Sequence, residues 1–155
     1  MIDLGPWSDE DFERLSWHDV HVHAVKLEEF DGENGSADLL LDIDYILKWE
    51  QVGTGYVFTV CQAILRFQQV FGLRFTLDYK TPTAGMCPFS INGIKREPME
   101  AVNGYRSFRW HLPINWPAGS IEFEAPSFTQ TLIGSPNVQP EQYLAQSKRR
   151  NTPAA

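Results

Sequence analysis

Leu39-Leu40-Leu41-Asp42-Ile43-Asp44-Tyr45-Ile46-Leu47-Lys48-Trp49 is the stretch on which the fold turns. Leu39, Leu41, Ile43, Tyr45, Leu47 and Trp49 fall on one side of a period of two. Asp38, Leu40, Asp42, Asp44, Ile46 and Lys48 fall on the other. That alternation belongs to a half-buried strand, because successive side chains of extended backbone point to opposite faces. Upstream, Asp31-Gly32-Glu33-Asn34-Gly35-Ser36 is turn chemistry. Before the turn, His18 to Phe30 alternates again, with Val20, Val22 and Ala24 against Asp19, His21 and His23. The two stretches read as the arms of one hairpin.

The same period continues downstream. Tyr56 to Phe71, Leu73 to Tyr79, Tyr105 to Ile114, Ile121 to Ala125 and Phe128 to Ile133 all read as strands, and Ile91 to Met99 as a short edge strand. Asn103-Gly104 is a hairpin signal. Near the N-terminus Ser8 precedes Asp9, Glu10 and Asp11, so a cap and three first-turn acids predict a short helix over 8–15, with Trp7 stapled onto Phe12. The expectation is an antiparallel β-sandwich or partly closed β-barrel of about eight strands with a short N-terminal helix. One domain spans 1–137. Residues 138–155 form a polar tail carrying Lys148-Arg149-Arg150, frayed or helical for a turn or two.

Composition narrows the function. The 155 residues hold ten Phe, five Trp and five Tyr, enough for a substantial core. A net charge of −7 argues against nucleic-acid binding, which needs a basic face, and suits a basic protein partner. No apolar run is long enough for a membrane helix, and the first residues lack the basic and apolar regions of a secretory signal, so a cytoplasmic location is expected. Cys61 and Cys87 show neither metal spacing nor a disulfide framework. No nucleophile-elbow serine and no Gly-rich phosphate loop is present.

The chemistry concentrates on the first hairpin. Packing both apolar faces together, with the turn centred between Glu33 and Asn34, sets His23 opposite Asp44, Val25 opposite Asp42 and Asp19 opposite Lys48. Asp19, His21, His23, Asp42 and Asp44 then share the face away from the core. Two imidazoles two residues apart, with carboxylates on the neighbouring strand, can reach one divalent transition metal. The competing account is an ordinary polar sheet face with cross-strand His–Asp pairs.

Two resemblances bear on the choice. His21-x-His23, then Glu28 and Gly35, resembles the first cupin motif, and His111 with Asn115 resembles the end of the second. This resemblance implies a β-barrel holding a metal on His21, His23, Glu28 and His111. Leu15 stands where that family has a glycine, and Arg106-Ser107-Phe108 where it has Pro-x-Gly. Leu15-Ser16-Trp17-His18-Asp19 with Leu39 to Tyr45 is similar to small bacterial β-proteins, some grouped with immunity proteins of toxin systems. That resemblance implies a non-enzymatic binder whose acidic face meets a basic toxin. The reading adopted is a non-catalytic binding module. The alternative is a metal-binding protein or metal-dependent enzyme in which metal-bound water is the nucleophile.

Overall fold

The computed structural model describes residues 1–80, 85–100 and 103–150. In chain order these form β1 (Trp7–Ser8), a 3-10 turn (Asp9–Arg14), β2 (Val20–Asp31), β3 (Ser36–Val52), β4 (Gly55–Leu77), β5 (Phe89–Ile91) and β6 (Lys95–Pro98). There follow β7 (Phe108–Trp116), β8 (Gly119–Ala125), β9 (Ser127–Gln139) and a 3-10 turn (Gln146–Lys148). All pairings are antiparallel, and the nine strands make one sheet. The protein is mostly β, as its alternating pattern demands. The predicted N-terminal helix is a 3-10 turn, in which the Asp11 carboxylate accepts from the Ser8 backbone N–H at 2.9 Å. Trp7 packs on Tyr45 rather than on Phe12, with ring centroids 5.5 Å apart.

The sheet is ring-like without being a barrel. Pairing passes from β4 through β3, β2, β5, β7 and β8 back to β4. Strand β4 closes the ring because it is long and bent. Its first part pairs with β3 and β9, and its last part, from Phe71 to Leu77, pairs with β8. Gln69 and Gly72 take positive φ values of 52° and 65° at the bend. Gly72 is the residue that does so without strain. Strands β8 and β9 follow the same edge of β4 with only Pro126 between them, so the edge that β3 covers is left without a partner strand from Phe71 onward among the described residues.

The interior is aromatic and aliphatic. Leu39, Leu41, Ile43, Ala63, Leu65, Phe67, Leu112 and Ile121 are fully buried, and each large one contributes about 1.5–3 kcal/mol relative to exposure. Trp110 sits among them with its indole N–H donating to the Ala125 carbonyl at 2.9 Å. Trp17, beside Phe12 and Phe128, donates to buried Gln130 at 2.7 Å. Arg96 lies 4.1 Å above the Phe12 ring and 4.2 Å above Phe108 while pairing with Asp9 at 3.0 Å. Its cation–π contacts tie the 3-10 turn to β7. No helix among the described residues is long and apolar enough to cross a membrane.

None of the three predicted cross-strand pairs forms, because the register slips twice along β2. Asp31 faces Ser36 as expected, but an irregularity between Glu28 and Asp31 sets Ala24, not Val25, opposite Asp42. His23 is then an extra residue in a β-bulge, so His21, not His23, sits opposite Asp44, and Asp19, ahead of β2, has no pairing with Lys48. Past the bulge the parity inverts. Val25 and Leu27 pair with Leu41 and Leu39 on the core side, and Ala24 turns outward. The breaker-rich stretch 81–88 and the tail lie partly outside the described residues, at 81–84 and 151–155.

Candidate functional site: a carboxylate notch sealed by the C-terminal strap

The five residues singled out on the first hairpin do lie close together, but not on an open face. Residues Gln142 to Arg150 cross over them as a strap. The amide of Gln142 donates to Asp19 at 3.3 Å. The Tyr143 ring lies 4.8 Å from that of His21. The Leu144 backbone N–H donates to Asp44 Oδ2 at 2.9 Å. Arg149 reaches down with Nη1 on Asp44 and Nη2 on Asp42. Arg150 is clamped through its backbone, whose N–H donates to Gln62 Oε1 at 2.8 Å and whose carbonyl accepts from Gln62 Nε2 at 2.9 Å.

The tail is thus not frayed over its described part. Leu144 is buried with Ile46, Phe58 and Val60, and that apolar anchor holds the strap down. The Arg149 side chain is only 4% exposed and that of Asp44 is wholly buried. A charge so enclosed needs a partner, and each supplies the other's. Gln62 also donates to Asp42 at 3.1 Å, joining strap, β3 and β4 in one network.

His23 completes the notch. Displaced by the bulge, its Nε2 lies 2.7 Å from Asp44 Oδ2, although its backbone faces neither aspartate. Burial pushes its imidazole down from the ordinary 6.5 to about 4, and the neighbouring Arg149 guanidinium pushes the same way against Asp42. The ring is neutral at pH 7, so Nε2–H is the donor and the Asp44 carboxylate the acceptor. His21 is likewise lowered, chiefly by burial, and its Nδ1 is enclosed with no hydrogen-bond partner.

The remaining candidates have partners of their own. Asp19, at φ 60°, accepts from Asn115 Nδ2 at 2.7 Å and lies 3.4 Å from His18 Nε2. Glu28 is held by Arg66 and by Lys26, the latter at 3.1 Å. His111 on β7 faces Glu122 at 3.9 Å, in a charged row that runs Lys95, His111, Glu122, Arg74 across four strands. The set His21, His23, Glu28 and His111 is therefore not assembled. Among the described residues no group of three or more His, Cys, Asp or Glu side chains is placed to hold a metal ion. In the notch the cationic role is filled by Arg149. The sequence held a signal for an anchored strap, though none for Arg149 itself: Tyr143-Leu144 is an apolar pair inside the polar tail.

Two surfaces adjoin the notch. A groove of about 660 Å3 opens beside it, lined by Val25, Phe75, Leu77 and Phe89, with His23, Asp42 and Arg149 at its polar end. At the far end of the β3–β4 hairpin, Trp49 and Tyr56 are 43% and 53% exposed. Trp49 stacks on His18 and meets Phe58 edge-on at 4.9 Å. Asp19 lies 3.4 Å from His18, and Glu50 directly follows Trp49 in the chain. Lys48 is paired to Glu50 at 3.3 Å.

No family model matches the chain, and no curated protein matches it in sequence.

Proposed function

We propose that this protein is a non-catalytic binding module that engages a basic protein partner. The observation carrying this reading is the internal neutralisation of the His–Asp notch. The histidines and carboxylates that could have done chemistry are spent on Arg149 and on the strap. What faces solvent instead is the aromatic tip of Trp49, Tyr56 and His18 with its carboxylate rim. Large aromatic side chains at the centre of a polar, charged rim are the composition of protein contact surfaces. The net charge of −7 favours a cationic partner and speeds its association. The resemblance of Leu15-Ser16-Trp17-His18-Asp19 and Leu39 to Tyr45 to small bacterial β-proteins, some grouped with immunity proteins of toxin systems, points to the same class.

A photo-crosslinking residue placed at Tyr56 in the full chain, expressed in its native cells, tests the reading. The expected result is one discrete adduct with a protein of high isoelectric point, absent when the crosslinker stands at Glu13. No adduct, or the same smear at both positions, overturns it. So does about one equivalent of a transition metal in the tag-free protein that disappears in His23→Ala, since the notch would then be a metal centre.

A further inference from the structure

We infer that the notch of Asp42, Asp44 and His23 is a guanidinium-recognition site, that Arg149 is its internal occupant, and that an arginine on an extended segment of the partner can take its place. The inference rests on the binding-module reading for the existence of a partner. The site itself stands on three observations.

The first is how selectively the notch holds its occupant. The two terminal nitrogens of one guanidinium go to two different carboxylates, Nη1 to Asp44 and Nη2 to Asp42. A planar fork satisfies both at once, whereas an ammonium offers a single point charge. His23 and the Leu144 N–H fix the orientation of the Asp44 carboxylate. Neither Lys148 nor Arg150 makes an ion pair in this site, although they flank Arg149.

The second is what holds Arg149 in place. Between Leu144 and the Gln62 clamp on Arg150, the strap has only the 3-10 turn Gln146–Lys148, and Ala145 to Lys148 are exposed. Opening a buried ion pair to nothing leaves bare carboxylates and is strongly disfavoured. Exchanging one guanidinium for another never leaves them bare. The obstacle to displacement is therefore the strap's own anchoring and not the electrostatics of the notch.

The third is the approach. The groove leads to the notch along two strand edges that lack a partner among the described residues. On β2 the pairing with β5 stops at Val22, beyond which Pro88, Cys87 and Met86 border the groove, and on β4 no strand among the described residues covers the β3 side from Phe71 to Leu77. An extended segment can add to such an edge through its backbone while apolar side chains lie against Val25, Phe75 and Leu77. The occupant that fits is an extended, apolar stretch bearing an arginine, and the polar end of the groove receives that arginine.

The probe is ethylguanidinium chloride, titrated into full-length Arg149→Ala at constant ionic strength with ethylammonium chloride as control. The expected result is a rise in Tm of about 3–6 °C at ten times the Kd, growing with the logarithm of the concentration beyond it. It should be absent with ethylammonium and absent in Arg149→Ala/Asp42→Asn. An equal response to both cations, or one that survives Asp42→Asn, overturns the inference. Should Arg149→Ala not fold, the same titration on Arg149→Lys is followed through the Leu144 amide and His23 imidazole NMR signals. Saturable shifts with ethylguanidinium alone support displacement, and unmoved signals refute it. A crosslinked partner at Tyr56 without any guanidinium response removes this inference and leaves the binding module standing.

Discussion

Arg149 and Asp44 meet as a buried ion pair across 105 residues of sequence, one from the late strap and one from the middle of β3. Asp42 beside them is the guanidinium's second carboxylate. The relationship turns a polar tail into part of the fold.

Removing the guanidinium should therefore be costly. Arg149→Ala leaves two carboxylates facing each other without a cation, and breaking a buried pair from one side costs about 3–5 kcal/mol. Urea unfolding should show the midpoint falling with little change in slope. Adding Asp44→Asn to the variant should recover part of the loss, because the neutral amide no longer needs a cation. A loss below about 1 kcal/mol for Arg149→Ala would mean that the pair is solvated in solution.

Stability should also depend on pH through His23. Its folded value of about 4 lies below the ordinary 6.5, so between these limits the unfolded chain binds a proton that the folded one does not. Stability should rise with pH across this window and be lost as pH falls from about 6.5 towards 4. Comparison of the wild type with His23→Gln by denaturant titration isolates the contribution: the variant should show a shallower slope there. Identical slopes would place the proton uptake elsewhere.

Leu144 is the strap's apolar anchor against Ile46, Phe58 and Val60. Leu144→Ala should cost about 2–4 kcal/mol, in the range for truncating a buried leucine. If the strap opens as a unit, the Arg150 amide, bound to Gln62, should lose hydrogen-exchange protection in the same variant. Protection unchanged at Arg150 would show that the two ends of the strap are held independently.

Gly119 offers a test of the ring closure. A Cβ there would stand 2.1 Å from the Thr76 carbonyl oxygen, where β8 pairs with the end of β4. Gly119→Ala should destabilise by about 3 kcal/mol, since the obstacle is backbone and cannot swing aside. Gly32→Ala, whose Cβ would meet nothing within 4 Å and whose φ is not positive, should stay within about 0.5 kcal/mol of wild type.

The sequence announced the strands through residues whose period is strictly local. Leu39, Leu41, Ile43 and Tyr45 are buried as their alternation requires, and Asp31 to Ser36 does turn the chain. The bulge at His23 was invisible because neither a glycine nor a proline marks it. The irregularity between Glu28 and Asp31 was equally unmarked, and it is this one that sets Val25 opposite Leu41 instead of Asp42. The candidate residues Asp19, His21, His23, Asp42 and Asp44 were legible as a group, since a hairpin gathers them whatever its exact register. Their cover was not. Lys148-Arg149-Arg150 has the composition of a solvated tail, and no local pattern tells that the middle cation alone lies over two aspartates from β3. Ser8 does begin the N-terminal element, its backbone N–H donating to Asp11, but Asp9–Arg14 make only a 3-10 turn.

The separation of 105 residues between Asp44 and Arg149 has a consequence for biosynthesis. Translation delivers the buried carboxylates first and their counter-ion 105 residues later, so over that interval the nascent chain carries the two aspartates without Arg149. During that interval the notch is open to any arginine nearby, including one on a cognate partner. If the notch takes a partner's guanidinium as proposed, self-closure and capture are rivals from the moment of synthesis.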